Sequence, residues 1–295
     1  MDERHKLFHR VSRIEIRTRK LVEQLVGGDY RSVFRGRGVE FSEFREYIEG
    51  DDPRLIDWNV TARTGYPHVK LLTEERELSA LLMVDLSGSL RFGSVRLTKL
   101  ERVAEVAAVL ALSAVRSNDR VGLLSFADDV VDYVPPDKGR AHALRTVGAI
   151  LQSEGRAVPA NVDRALRYAG RTLHRRSLLF LISDFRFSRE GSRLLGAMSR
   201  RHDVVAIHVF DPREVHMPPL GLMTFRDPES GRTRTVNTSS GAWREDFGKR
   251  VESDRKAREE LCRKYRLDLV SISTADDLIL PLRKFFMLRK RRRRH

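Results

Sequence analysis

The chain has 295 residues, 41% of them hydrophobic, and 56 Lys and Arg against 41 Asp and Glu give it a formal charge of +15. That length allows one large domain, or one domain with a satellite, around a substantial core. The single cysteine, Cys262, excludes an internal disulfide and a Cys-rich zinc site and reads as a small buried apolar residue.

In chain order, residues 1–10 are heavily charged, and no run approaches the roughly 18 uninterrupted apolar residues of a membrane span, so a soluble, cytoplasmic protein is expected. Leu7, Val11, Ile14, Leu21 and Leu25 recur at helical spacing, with Arg10, Arg13, Arg17 and Lys20 between them and Gly27-Gly28 as a stop. This predicts a basic amphipathic helix. From Asp29 to Glu77 the sequence turns Gly-, Arg- and acid-rich, with short apolar pieces such as Val69 to Leu72, which predicts loops and short strands. Residues 1–77 are therefore read as an N-terminal helix and small satellite, 78–288 as the main domain and 289–295 as a basic tail.

After Glu77, apolar runs at 81–84, 121–126, 178–182, 204–210 and 267–272 alternate with helical patterns over 97–116, 140–152, 161–174, 189–200, 244–266 and 276–288. The fold class that follows is α/β, a mostly parallel sheet with helices on both faces and right-handed crossovers. The stretch 97–115 is apolar nearly all round and should be among the most buried helices. Val130 to Val134, just after Asp128-Asp129, fits an antiparallel edge strand. Between Asp211 and Gly241 the rhythm lapses into loops and a hairpin, marked by Pro218-Pro219, Asp227-Pro228 and Ser230-Gly231. The run Arg289 to Arg294 reads as a solvated, disordered end with non-specific affinity for anionic surfaces.

Ligands of an open parallel sheet bind beyond the carboxyl ends of its strands. Two strands here run into an aspartate: one into Asp85-Leu86-Ser87-Gly88-Ser89, the other into Ser183-Asp184-Phe185. Two carboxylates and two hydroxyls suit a hard cation, which takes oxygen ligands and keeps waters. Serines capping the following turn and aspartates capping helices are the structural alternative.

Asp85, Ser87, Ser89 and Asp184 resemble the metal-ion-dependent adhesion site of von Willebrand factor A domains, where Asp-x-Ser-x-Ser is joined by a Thr and an Asp from two other loops. The resemblance implies a von Willebrand factor A-like fold and a site for Mg²⁺, or Mn²⁺ or Ca²⁺. A second resemblance lies upstream, in residues 28–38 followed by Phe41, Arg45-Glu46-Tyr47, Gly50-Asp51-Asp52, Arg54, Ile56-Asp57-Trp58, Ala62-Arg63 and residues 74–77. These resemble the signature of the family called domain of unknown function fifty-eight, as do Asp211-Pro212-Arg213-Glu214 and residues 227–231. That family consists of von Willebrand A-like proteins found beside MoxR-type AAA+ ATPases. It implies such an ATPase and a client protein as partners, in a chaperone-like pair that assembles or activates other proteins.

One departure stands out. In Val158-Pro159-Ala160-Asn161-Val162-Asp163, Ala160 occupies the place of the family's Thr, which implies a weak cation site. A water, Asn161 or Asp163 are the alternatives for the missing oxygen, Asn161 also reading as a helix cap. Residues 50–54 with Asp57 and Trp58 read as a turn held by carboxylate–arginine pairs, with Arg63 and Arg76 available, or else as a binding surface. The histidines show no metal-ligand spacing.

The expected function is a non-catalytic, protein-binding adaptor with no small-molecule substrate. A phosphotransferase of haloacid-dehalogenase type would need a second Asp two residues after the first, where this chain has Ser87. The alternative is a basic protein that binds nucleic acid or another anionic surface.

Overall fold

The structure, a computed structural model, describes residues 3–26, 40–73, 78–153, 157–183, 185 and 188–293. Apolar runs with continuous burial build the central sheet: β3 (Ser79–Asp85), β4 (Arg120–Phe126) and β6 (Leu178–Ile182) are shut off from water along almost their whole length. Strands covered on both faces need no polar alternation. With β5 (Val130–Asp137), β7 (Asp203–Phe210) and β10 (Asp268–Ser273) they form six strands in the order β10-β7-β6-β3-β4-β5, all parallel except the β4–β5 pair. The chain leaves β3 for β4 on one side and later returns to β6 on the other. The winding therefore reverses beside β3.

Two helical layers cover the sheet. On one side α1 (Glu3–Val26), α3 (Lys99–Arg116), α4 (Arg140–Gln152) and α9 (Ile279–Arg293) touch one another; on the other lie α5 (Val162–Thr172), α6 (Arg189–Arg201) and α8 (Gly241–Tyr265). The period of two in the strands divides their side chains between the layers. Leu81, Met83, Leu124, Phe126, Leu179 and Leu181 pack with Val162, Leu166, Leu195, Met198 and Cys262 of the second layer. Burial pushes the Cys262 thiol up to about 11.

The helix α3 starts at a capping box: Thr98 Oγ1 accepts from the Glu101 N–H at 3.2 Å, and Glu101 Oε2 accepts from the Thr98 N–H at 2.9 Å. It is as buried as its apolar pattern predicts, but it also carries Lys99, Arg102 and Glu105 inside. Arg102 meets Glu105 at 3.0 Å and donates to the carbonyls of Thr274 and Asp276, while Arg17 of α1 reaches Glu105 at 2.7 Å. Ionic links thus supplement the apolar seam of α1, whose Ile14 and Val22 are buried.

This packing corrects the predicted division of the chain. The helix α1 belongs with the sheet, because its apolar stripe is covered by α3 and α4, and the second compact unit is Phe34–Leu78 rather than residues 1–77. Within that unit β1 (Glu40–Glu46) pairs antiparallel with β2 (His68–Thr73), with a bulge between Phe41 and Glu43. Asp57 caps α2 (Trp58–Thr64) by accepting from the Asn59 and Val60 N–H groups, and Gly65, at φ 81°, ends it. The predicted carboxylate–arginine turn is present, but Asp51 takes Arg45, in a bidentate pair at 2.7 and 2.8 Å, rather than Arg63. Arg76 lies outside the described residues.

The predicted disordered tail is also corrected. The helix α9 runs through Leu288 to Arg293, with Ile279 N donating to Asp277 at 2.7 Å ahead of its first turn. The charge run is ordered because acidic partners await it: Arg289, only 11% exposed, pairs with Asp203 and, at 3.3 Å, with Asp268, and Arg292 reaches Asp268 at 2.8 Å. Both aspartates open neighbouring parallel strands.

The hairpin expected between 211 and 241 is β8 (Leu222–Arg226) with β9 (Thr233–Asn237), preceded by the short α7 (Pro212–Val215). At the far edge of the main sheet, β5 carries Pro135 and Pro136 and lies tightly on Gly122 of β4, where a Cβ would come within 2.6 Å of the Val134 carbonyl oxygen.

Candidate metal centre

The winding reversal puts a crevice between the carboxyl ends of β3 and β6, the place where open α/β sheets bind ligands. Asp85 ends β3 there, 1% exposed, and Ser183 follows β6 directly beside it. The Asp85 carboxylate accepts from the Ser87 N–H at 2.8 Å through Oδ1 and from the Ser183 hydroxyl at 3.0 Å through Oδ2. The first bond curls the chain into an Asx turn. It brings the Ser87 hydroxyl to 3.2 Å from that of Ser89.

Ser87 stands at the cap position of the short 3-10 turn Gly88–Arg91, yet its side chain makes no capping bond. The hydroxyls face each other instead of the backbone, which argues against the simple capping role. Two oxygens in adjacent octahedral positions about 2.1 Å from Mg²⁺ lie about 3 Å apart. The serine pair has that spacing, and Asp85 adds an anionic oxygen donor alongside, so the donors present suit a hard cation.

Of the four predicted ligands, the structure brings Asp85, Ser87 and Ser89 together. Asp184 lies outside the described residues. Its two neighbours are held at Asp85: Ser183 donates to it, and the Phe185 N–H donates back to the Ser183 hydroxyl at 3.3 Å. Phe185 sits at φ 62°, a left-handed backbone costly for an aromatic residue, and its ring is buried in the core. Among the described residues no group of three or more His, Cys, Asp or Glu is placed to hold a metal ion, so a cation here would rely on hydroxyls as much as on carboxylates.

The loop with Ala160 does lie beside the site. Val158 O accepts from the Gly88 N–H at 3.2 Å, and the Asn161 N–H donates to Ala127 O at 2.6 Å. Ala160 is partly buried against the core. Asn161 caps α5 by accepting from the Arg164 N–H, and Asp163 accepts from the Ser188 hydroxyl at 2.7 Å. Both alternative oxygens are thus engaged in local bonds.

A second buried carboxylate on this rim was missed as a structural centre. Asp211, 0% exposed at the end of β7, accepts from the Ser94 N–H at 2.8 Å and its hydroxyl, from the Arg213 N–H at 2.9 Å and from the Thr274 hydroxyl at 3.0 Å. Burial pushes this carboxyl up, but the bonds from Ser94, Arg213 and Thr274 outweigh it and hold it below its ordinary value. Glu214 accepts from the Asp211 N–H at 2.9 Å and binds Lys99 at 2.7 Å. The loop between the paired serines and α3 is thereby tied to β7 and β10. An Asp-Pro-x-Glu capping box was the sequence signal for it.

A family model described as "Protein of unknown function DUF58" matches residues 43–257. The chain belongs to this family. An uncharacterised Mycobacterium tuberculosis protein, Rv1480, is 32% identical over 289 residues, covering 97% of this chain and 90% of that protein. An uncharacterised Mycobacterium avium protein, MAV169, is 32% identical over 161 residues, 54% of this chain and 94% of that one. Similar solved structures include BatB from Bacteroides thetaiotaomicron, at 16% identity, 72% and 99% coverage and a TM-score of 0.48. The von Willebrand factor A domain of SpRpn10 matches at 12% identity, 69% and 92% coverage and a TM-score of 0.38. This DUF58 chain has its von Willebrand A-like character in its own sheet: parallel strands, one antiparallel edge and helices on both faces.

Proposed function

We propose that this DUF58 protein is a non-catalytic adaptor that docks a partner protein onto a divalent cation held by Asp85, Ser87, Ser89 and Asp184. One observation carries the reading: the Ser87 and Ser89 hydroxyls face each other next to a buried carboxylate at the winding reversal, and the Ser87 hydroxyl leaves its turn uncapped. A bound cation supplies a positive centre that an acidic side chain of the partner completes. The protein's residues do the rest: Asp85 provides charge, the serines provide neutral oxygens, and the Asp211 latch holds the loop in place. Ala160 leaves one position to water, so the cation is held weakly.

The partner we infer is a MoxR-type AAA+ ATPase acting with a client protein in the cytoplasm, by the resemblance of the family signature. Among the described residues no helix is long and apolar enough to cross a membrane. A binding protein is favoured over a phosphotransferase of haloacid-dehalogenase type because the strand-end Asp85 is followed at the second position by Ser87, which offers no acid or base.

Calorimetric titration of Mg²⁺ and Mn²⁺ into wild type, Ala160→Thr and Asp85→Ala tests the site. Replacing one water by a hydroxyl leaves the charge unchanged, so Ala160→Thr should tighten binding by about tenfold at most. Asp85→Ala should abolish it, since no water replaces a lost charge. If only Ala160→Thr binds, the natural site is degenerate and the partner docks without metal. If none binds, the cation reading is wrong.

A further inference from the structure

The helix α9 is pinned to the sheet unit along one side and presents the other to water. Leu282, Phe285 and Phe286 are buried, and Arg289 is clamped between Asp203 and Asp268. The outward residues are Leu280, Arg283, Lys284, Met287, Leu288, Arg291 and Arg292. They follow the helical rhythm of three and four, forming one stripe about 18 Å long. Leu280 is 66% exposed, Met287 41% and Leu288 44%. No acidic residue occurs anywhere in Ile279–Arg293.

The geometry points to a docking face for an anionic lipid surface. Three large apolar side chains on a fixed helix gain nothing from water and little from a sugar-phosphate backbone. They gain by entering the headgroup–acyl boundary, while long basic side chains beside them extend to the phosphates. Asp268 holds Arg292, but Arg283, Lys284 and Arg291 stand on a helix with no acidic residue of its own. They complement a continuous sheet of negative charge, and the chain's net charge of +15 acts in the same direction. Because Arg289 fixes the helix through its inner side, the stripe is presented without unfolding. Such a face would let the protein sit on a membrane without a spanning helix, and it does not depend on the cation site.

Flotation of the full chain with vesicles tests it, using phosphatidylcholine alone and phosphatidylcholine with about 30% phosphatidylglycerol. Wild type should float with the anionic vesicles and not with the neutral ones. Each cation near an anionic surface contributes about fivefold in partitioning, so Arg283→Gln with Lys284→Gln should weaken binding by about 25-fold. Leu280→Gln with Met287→Gln should weaken it by about tenfold or more. All four side chains are exposed, so both variants should melt as wild type does. Absence of flotation would overturn the proposal, as would two variants that float like wild type. If only the charge variant loses binding, the stripe is a general polyanion-binding strip and the lipid reading falls. If an acidic protein binds the stripe while vesicles do not, the face belongs to a protein partner.

Discussion

Asp85 and Asp211 are both buried carboxylates at strand ends, and their surroundings give them different work. Asp211 is closed in by donors from three separate segments, Ser94, Arg213 and Thr274, and acts as a latch. Asn in its place would turn an amide NH₂ toward groups that themselves donate. Asp211→Asn should therefore cost about 2–4 kcal/mol at pH 7, measured by urea unfolding. The folded carboxyl is held below 3.8, so its contribution is complete above that value and is lost as pH falls through the lower folded one. The gap between wild type and variant should narrow at pH 3, and an unchanged gap would show that the charge is not what matters. The capping box at Asp211 was legible because its members are neighbours. Ser94, 117 positions away, was not. At the end of β3 the Asp-x-Ser-x-Ser spacing was legible for the same local reason, whereas the bond from Ser183 to Asp85 depends on β6 lying beside β3.

Elements were the most legible scale, since a period of two or 3.6 is written locally. The helix over 140–152 and the strand over 178–182 match their predicted bounds. The last helix was misread in part because a run of basic residues carries no apolar rhythm, and its acidic partner Asp203 lies 86 positions earlier. Similarly, the apolar pattern of α3 gave no sign that Arg102 and Glu105 would be buried, because their partners come from α1 and the loop after β10. Arg289→Ala should lower stability by about 2–3 kcal/mol, since it leaves Asp203 and Asp268 facing each other without their shared cation. Removing residues 289–295 should lower the melting temperature by several degrees for the same reason. Unchanged melting in both would mean that the clamp contributes nothing.

For the whole molecule, acid should be felt well before the carboxylates titrate. Burial, aided by Arg258 and Lys99, pushes His208 down to about 3. Below its ordinary 6.5 the unfolded chain takes up a proton that the folded one refuses, so stability is intact above 6.5 and falls as pH drops toward 3. The slope from this group approaches about 1.4 kcal/mol per pH unit. Between pH 6.5 and 4.5 the urea midpoint of wild type should decline more steeply than that of His208→Leu, and equal slopes would remove His208 from the account.

The two prolines on β5 bear on how this protein can meet others. A sheet edge is normally a template: an extended segment of another chain lays itself alongside and completes the ladder. Pro135 and Pro136 have no N–H to offer, and the strand that carries them is pressed onto Gly122, so that edge cannot readily recruit a seventh strand. Neither an extended peptide nor a second copy extends the sheet there. On that side of the sheet, recognition is left to loops and helix faces, which read side-chain chemistry rather than bare backbone.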